Sequence, residues 1–206
     1  MKNKLVFIEG AEGVGKSSVL HEISRTSTRY RITREPYSPR LREGLIAYSN
    51  DPVYQALLFA ADRRIHMRLL SGVWAGEDVL CDRGPLSTLV YQGLLVDGVD
   101  LDWLLELNSV VMEGVTVTST IVLCASFETM VERLKARNAF DPDLQNLDHL
   151  REIRQAYESL KPSKVYPFSY PMAGLLQKWA DLTGPIYFID AEQSAEDVCK
   201  DVLSLI

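Results

Sequence analysis

Residues 10–17 read Gly-Ala-Glu-Gly-Val-Gly-Lys-Ser, which is the spacing of a phosphate-binding loop. Glycines let successive backbone N–H groups point at phosphate oxygens, and the start of the following helix adds its positive end. Lys16 can reach the β- and γ-phosphates of a nucleoside triphosphate, and the Ser17 hydroxyl can hold Mg²⁺. A glycine-rich turn followed by Lys and Ser by chance is the alternative, and four fixed positions between a strand-like and a helix-like run favour the nucleotide. The predicted nucleotide-binding residues are Gly10, Ala11, Glu12, Gly13, Val14, Gly15, Lys16, Ser17 and Ser18.

An acidic and a basic residue follow the hydrophobic run at 78–81. Asp82 stands where P-loop enzymes carry the acid that backs Mg²⁺. Arg83 could clamp a phosphate with its planar guanidinium. A surface ion pair at the end of a strand would have the same sequence, and spacing alone leaves the two interpretations about even.

A second basic cluster ends a predicted helix. Arg133 and Arg137 are four residues apart and share one face, and Lys135 lies between them. They form either a solvated last turn that complements the helix dipole, which the pattern alone favours, or part of a lid that closes over phosphates. Phe59 lies in an apolar helical pattern that, by itself, predicts a core residue.

Strands are predicted to alternate with helices along the whole chain. The predicted strands are 4–9, 30–33, 78–81, 120–124 and 186–189. The predicted helices start at 18 and then cover 39–49, 52–74, 86–96, 101–113, 127–137, 147–160 and 195–205, with Asp51 capping the one that begins at Pro52. This order predicts an α/β fold, a five-stranded parallel sheet with helices on both faces. Ligands bind such sheets at the carboxyl ends of the strands, where the loop at 10–17 and residues 34–36, 82–83 and 190–191 would meet.

Composition indicates an ordinary globular protein. The 206 residues include 47% hydrophobic and 24% charged residues, so we expect one folded domain over 1–206 without disorder. The net charge of −6 argues against a nucleic-acid surface, which needs clustered Lys and Arg. The three cysteines have no C-x-x-C spacing, and no apolar stretch approaches the ~18 residues of a membrane span. We therefore expect a cytoplasmic protein with reduced thiols and no membrane partner.

Four blocks of this chain resemble the thymidylate kinase family in order and spacing. They are Phe7-Ile-Glu-Gly-Ala-Glu-Gly-Val-Gly-Lys-Ser17, Thr33-Arg-Glu-Pro36, Leu57-Leu-Phe-Ala-Ala-Asp-Arg63, and Asp82-Arg83 with Ser87-Thr88 and Tyr91-Gln-Gly93. The resemblance covers most of residues 4–160. It implies the three-layer P-loop NTPase fold with a short lid, and ATP-dependent conversion of dTMP to dTDP with Mg²⁺ by a homodimer.

The resemblance also implies where the acceptor nucleotide binds. Phe59 would stack on the thymine ring, and Arg63 would hydrogen-bond an exocyclic oxygen of that ring. Thr88 would read the N3 edge, and Tyr91 would pack under the deoxyribose and disfavour a 2′-hydroxyl. The implied acceptor-binding residues are Glu12, Pro36, Phe59, Arg63, Arg83, Thr88 and Tyr91.

Positions for the phosphates and the adenine are implied in the same way. Glu12 would meet the sugar 3′-hydroxyl, Arg83 would hold the acceptor phosphate, and Ala191 resembles the turn that lines the adenine. Because the loop itself lacks an arginine, charge-neutralising arginines are expected in a lid at about 133–146, as in bacterial members. The implied catalytic residues are Lys16, Arg83, Arg133 and Arg137, and the implied metal ligands are Ser17 and Asp82.

Histidine chemistry is not required for this transfer. A nucleotide 5′-phosphate is mostly a dianion at neutral pH, so the reaction needs alignment and charge neutralisation rather than a general base. None of His21, His66 and His149 lies in a motif block, and His66, four residues after Asp62, is interpreted as structural.

Three departures from the family pattern leave alternatives open. Gly84-Pro85 follows Asp-Arg where Tyr or His is usual, and residues 37–39 replace a glycine-rich turn. A modified pyrimidine deoxynucleotide could therefore be the acceptor. The segment 161–181 is longer than usual and predicts an added packing loop and short helix, or a partner surface.

Two other functional hypotheses compete with that of a monophosphate kinase. In a deoxynucleoside kinase, Glu35 would act as base on a sugar hydroxyl, and phosphorylation of thymidine but not dTMP would identify it. A degenerate, inactive ATP-binding module would bind ATP without dTMP-dependent ADP release. A GTPase is excluded because no N-K-x-D motif is present.

Overall fold

Five strands form the predicted parallel sheet. The computed structural model describes residues 4–41, 44, 50–138, 140–161 and 172–206. The strands are β1 (Leu5–Glu9), β2 (Tyr30–Arg34), β3 (Asp78–Asp82), β4 (Ser119–Cys124) and β5 (Ile186–Asp190). They are hydrogen-bonded in the order β2-β3-β1-β4-β5, with every neighbouring pair parallel. All five residues of the central strand β1 are buried, whereas the edge strands β2 and β5 are partly exposed.

Helices connect the strands. They are α1 (Lys16–Thr26), α2 (Pro52–Ser71), α3 (Pro85–Thr88), α4 (Leu101–Val111), α5 (Phe127–Arg137), α6 (Leu147–Ser159), α7 (Met172–Thr183) and α8 (Ala195–Ser204), with a π-helix at Leu89–Leu94 and a 3₁₀ helix at Pro142–Gln145. Among the described residues, no helix has both the length and the apolarity that a membrane crossing requires.

The core lies on both faces of the sheet because strand side chains alternate in direction. Val6 and Ile8 of β1 belong to the larger hydrophobic cluster. Leu5 and Phe7 point the other way, into a smaller cluster that includes Met67 of α2. The predicted arrangement, an α/β sheet covered on both faces, is confirmed.

Most predicted boundaries agree within a few residues, and the start of α2 agrees in its chemistry. Asp51 accepts a hydrogen bond from the Tyr54 N–H, and Pro52 occupies the first turn, as predicted. Most of the predicted helix at 39–49 lies outside the described residues, and so do residues 162–171 of the predicted 161–181 insertion. The predicted short helix of the 161–181 segment corresponds to α7, which begins at Met172.

A helix is present over most of the predicted span 86–96, but it is α-helical only at its start. The structure has the single turn α3 followed by the π-helix Leu89–Leu94. Gly93 packs closely against α4, since a Cβ atom there would lie 2.7 Å from Leu101 and 2.9 Å from Leu104. An apolar spacing pattern does not distinguish a π-turn from an α-turn, so this wider turn could not be read from the sequence.

Candidate active site

The loop at 10–17 is tightly packed at two glycines. Gly10 and Gly13 have φ values of 135° and 78°, in the range that glycine adopts most readily. A Cβ at Gly10 would lie 2.6 Å from the Leu123 carbonyl oxygen, and one at Gly13 would lie 2.7 Å from that of Met130. The loop is therefore pressed against β4 and α5, and neither position has room for a side chain.

Lys16 crosses the inside of this loop. Its ammonium donates to the carbonyl oxygens of Gly10 at 2.8 Å and Ala11 at 2.9 Å, and lies 3.8 Å from a Glu12 carboxylate oxygen. The side chain is buried, and burial followed by the nearby charge of Arg83 lowers the pKa of Lys16 to about 8. The ammonium is thus held beneath the loop with its charge only partly compensated.

Ser17 and Asp82 form a site with the donor chemistry of Mg²⁺. The Ser17 hydroxyl lies 3.4 Å from Oδ2 of Asp82. The other carboxylate oxygen of Asp82, Oδ1, is buried and has no hydrogen-bond partner among the described residues. A hydroxyl and an unsatisfied carboxylate oxygen at one spot suit a hard divalent cation, so the residues present fit the metal.

Asp82 and Arg83 are not a surface pair, because their side chains contact different partners. Arg83 forms an ion pair with Glu12 and donates to the Ser87 hydroxyl at 3.1 Å and the Tyr91 hydroxyl at 3.3 Å. Its φ of 70° is unusual for a residue with a side chain. Although burial opposes it, the charges of Arg83 and Lys16 hold the pKa of Glu12 below its usual value.

A buried carboxylate, that of Glu9, supports Arg83 through Ser87. Glu9 accepts hydrogen bonds from the Ser87 N–H at 3.0 Å, the Ser87 hydroxyl at 2.6 Å and the Tyr157 hydroxyl at 3.0 Å. Burial raises the pKa of Glu9 despite these donors. Sequence reasoning missed this group, and the only local signal was an acid in an otherwise apolar strand.

All seven residues that the resemblance assigned to the acceptor line one cavity of about 300 Å³. The lining includes Glu12, Pro36, Phe59, Arg63, Arg83, Thr88 and Tyr91, together with Glu35, Gln55, Gly84, Ser87 and Gln92. Phe59 is only partly buried, so its ring is a wall of this cavity rather than a core side chain as periodicity alone predicted. Gln55 and Gln92, which sequence reasoning did not single out, bond to each other at 3.2 Å.

Arg63 is 2% exposed, and hydrogen bonds fix its guanidinium on several sides. Its Nε donates to Glu35 at 2.8 Å, and Nη1 and Nη2 each lie 3.3 Å from the Thr88 hydroxyl. Nη1 also donates to the side-chain oxygen of Asn108. Sequence reasoning did not find Asn108, which looks like one polar residue on the inner face of α4.

The arginines of the expected lid face a second cavity of about 250 Å³. Its lining includes Glu12, Lys16, Ser17, Asp82, Arg83, Arg133 and Arg137. Arg133 donates to the carbonyl oxygens of Val14 at 3.0 Å and Ala191 at 2.8 Å, and so joins the loop to the turn after β5. Arg137 instead pairs with Asp141.

Comparisons with known proteins identify the family of this chain. The sequence model of the family described as Thymidylate kinase matches residues 8–166. A curated thymidylate kinase from Caldicellulosiruptor saccharolyticus is 34% identical over 219 residues, covering all of this chain and 97% of the relative. The probable thymidylate kinase 1 of Saccharolobus solfataricus is 30% identical and covers 98% of this chain and 96% of its own.

A solved structure supports the fold. The thymidylate kinase from Ehrlichia chaffeensis superposes with a TM-score of 0.65 at 19% identity, covering all of this chain and 98% of that one. Since the family match spans well over half of the sequence and the curated relatives align along nearly all of it, this chain belongs to the thymidylate kinase family.

Proposed function

We propose that this protein transfers the γ-phosphate of ATP to dTMP, giving dTDP and ADP. We call the 300 Å³ cavity beside Phe59 the acceptor cavity and the 250 Å³ cavity beside Lys16 the phosphate cavity. One observation carries the proposal: both cavities are lined by Glu12 and Arg83. Two phosphate-bearing ligands in these cavities would meet at that boundary. This is the arrangement that a direct, in-line phosphoryl transfer requires.

The chemistry needs positioning rather than proton abstraction. A terminal oxygen of the dTMP phosphate forms a bond to the γ-phosphorus, while the bond from that phosphorus to the oxygen of ADP breaks. Arg83 would hold the acceptor phosphate, and Lys16 would stabilise the β- and γ-phosphates. Arg133 and Arg137, in the proposed lid at 133–146, would neutralise charge between the two ligands. Ser17 and Asp82 would hold Mg²⁺, which supplies charge neutralisation at the phosphate oxygens when bound.

The side chains that line the acceptor cavity suit a thymine nucleotide. Phe59 would stack on the base, Arg63 and Thr88 would hydrogen-bond its edge, and Tyr91 would limit space at the sugar 2′ position. Glu12 would meet the 3′-hydroxyl, and Pro36 would form part of the wall at the base. Ala191, buried beside Arg133, would line the adenine.

The deoxynucleoside kinase alternative needs Glu35 as a base, and its surroundings oppose that role. One carboxylate oxygen accepts from Arg63 at 2.8 Å, and the other lies 3.4 Å from Nδ1 of His66. Burial by itself would raise its pKa, but the charge of Arg63 together with the hydrogen bonds from His66 and Arg63 holds the pKa below the usual value. A paired carboxylate with a lowered pKa is a poor proton acceptor.

The test is a panel of acceptors assayed for ADP formation with ATP and Mg²⁺. The panel contains dTMP, dUMP, dCMP, a 5-hydroxymethyl pyrimidine deoxynucleotide and thymidine. The proposal expects the highest kcat/KM with dTMP and no turnover of thymidine. Lys16→Ala is the control, expected to remain folded and to lose activity. Turnover of thymidine but not dTMP would overturn the proposal, and so would ATP binding without any dTMP-dependent ADP release.

We also propose that the protein is a cytoplasmic homodimer. Val53, Leu57 and Ile65 of α2 and Val110 of α4 are between 43% and 68% exposed, an apolar surface of the kind that dimers cover. The cysteines are free thiols, as expected in a reducing compartment. Sedimentation equilibrium should give a dimer for the wild type and a monomer for the Leu57→Glu, Ile65→Glu variant. Val73→Glu, at an exposed position outside α2, is the matched control.

A further inference from the structure

A buried hydrogen-bonded chain of side chains runs behind the acceptor cavity. Thr33 at the end of β2 lies 2.9 Å from Nε2 of His66, and Nδ1 of His66 lies 3.4 Å from Oε1 of Glu35. The second oxygen of Glu35 holds Arg63 by Nε and Nη2, both at 2.8 Å. His66 is 0% exposed and does not line the acceptor cavity.

With a neutral imidazole, the chain has one consistent pattern of donors. An ionised Glu35 can only accept, so Nδ1 of His66 carries the hydrogen that points to it. In the neutral ring Nε2 is then an acceptor, and the Thr33 hydroxyl donates to it. The ring is also fixed by packing, since Tyr37 stacks on it with centroids 4.7 Å apart and Trp74 meets its edge at 5.8 Å. The imidazole therefore has one orientation.

Arg63 depends on the other end of this chain. Nε and Nη2 share one oxygen of Glu35, and this pairing sets the plane of the guanidinium. Nη1 also donates to the side-chain oxygen of Asn108, and the contacts to the Thr88 hydroxyl are long, at 3.3 Å from both Nη1 and Nη2. Those two nitrogens are the donors that an oxygen on a ligand base could take over without breaking the pair with Glu35.

Two members of this chain, Glu35 and His66, do not make a metal site with the neighbouring Cys81. Glu35, His66 and Cys81 bring one ligand atom each to within 4.8 Å of one another. However, Arg63 already places a fixed positive charge on Glu35, and burial raises the pKa of the Cys81 thiol well above its usual value. A second cation there would meet repulsion and a neutral sulfur, so the cluster is better explained as support for Arg63.

We propose that His66 is a positioning residue for base selection, which acts through Glu35 to hold the Arg63 guanidinium toward the pyrimidine. This inference rests on the proposed function. A guanidinium only donates hydrogen bonds, so it favours a pyrimidine with a 4-oxo group over one with a 4-amino group. The preference is lost if the guanidinium can turn aside. The chain from Thr33 through His66 to Glu35 opposes that turn from the Nε side, and Asn108 holds Nη1.

The test compares His66→Leu with His66→Asn. Leucine removes the donor to Glu35, whereas the Asn amide N–H can replace Nδ1–H. For each variant, kcat/KM is measured with dTMP and with dCMP, and KM is measured for ATP. His66→Leu should raise KM for dTMP about 10-fold and lower the dTMP-to-dCMP ratio of kcat/KM by about 10-fold, as expected for one lost hydrogen bond to a charged group. The KM for ATP should stay within about twofold, and His66→Asn should recover most of the ratio.

The outcomes separate the inference from the proposed function. A wild-type protein that does not phosphorylate dTMP defeats the proposed function and this inference with it. A wild type that does so, with an unchanged dTMP-to-dCMP ratio in His66→Leu, defeats the inference alone. Equal losses for dTMP and ATP in both variants would mean a merely structural role and also overturn it. If His66→Leu does not fold, Thr33→Val decides: it keeps the ring, removes its hydroxyl partner, and should lower the ratio by a smaller factor, whereas an unchanged ratio contradicts us.

Discussion

Gly84 is in contact with the ring of Phe7: a Cβ atom at position 84 would lie 2.4 Å from Cδ1 of that ring. Position 84, directly after Asp-Arg, has no room for a side chain because the ring of Phe7 on the central strand fills that space. Gly84→Ala should lower the free energy of unfolding by about 1–3 kcal/mol, the usual cost of overpacking. Urea unfolding measures it.

The matched control is the double-mutant cycle with Phe7→Leu. If the two positions compete for one space, the double variant should be more stable than the sum of the single losses predicts, by about 0.5 kcal/mol or more. Simple additivity would show that the glycine is required for another reason.

Lys16 gives a pH dependence to nucleotide binding. Its pKa in the free protein is about 8, so the fraction carrying the ammonium falls as the pH rises through 8. ATP binds the charged form, and the dissociation constant should therefore increase by up to about 10-fold per pH unit above that value. Calorimetry at pH 8.5 in buffers of different ionisation enthalpy should detect proton uptake on binding. Lys16→Met is the control: it should bind ATP weakly and with a flatter pH profile, and an equally steep profile would contradict the assignment.

Tyr157 supports the site at a distance through Glu9. Tyr157→Phe removes a 3.0 Å hydrogen bond to a buried carboxylate, and this should lower the free energy of unfolding by about 1.5–3 kcal/mol at pH 7.5. Burial already raises the pKa of Glu9, and losing the donor should raise it further. The loss should therefore be smaller at pH 5, where the protonated form needs less support. Tyr91→Phe, whose hydroxyl contacts Arg83 rather than Glu9, should not show this pH difference.

The sequence predicts those parts of the site that depend on local patterns along the chain. The loop at 10–17 follows β1 and Asp82 ends β3, and parallel strands bring their carboxyl ends to one edge of the sheet. The contacts of Asn108 with Arg63 and of Tyr157 with Glu9 join residues 45 and 148 positions apart. No local pattern carries such pairings, because they depend on how separate helices pack. Family resemblance supplied the proposed acceptor-binding residues, but not the side chains that hold them.

Asp82 and Ser17 predict a measurable metal requirement. Asp82→Asn removes the charge of a carboxylate whose buried Oδ1 has no partner within the described part of the chain, so the Mg²⁺ concentration for half-maximal activity should rise by about 10-fold or more. Ser17→Ala should act in the same direction, since the hydroxyl lies 3.4 Å from that carboxylate. Titration of activity with Mg²⁺ at saturating ATP and dTMP measures both. An unchanged Mg²⁺ dependence in both variants would place the metal elsewhere.

Arg137 must change partner if it serves the transferred phosphate. Its guanidinium is paired with Asp141 at 2.8 Å from Nε, although the residue also lines the phosphate cavity. Arg137→Ala should lower kcat by about 10³-fold with a smaller effect on KM for dTMP, because the charge is used mainly in the transition state. Asp141→Asn keeps an oxygen that can accept from the Asp143 N–H, but it weakens the ion pair with Arg137. The kcat of this variant should equal or exceed that of the wild type. Steady-state kinetics at saturating ATP distinguishes the cases. A rise in KM alone for Arg137→Ala would assign this arginine to ground-state binding, and a large loss of kcat in Asp141→Asn would mean that the pair with Asp141 is itself the active arrangement.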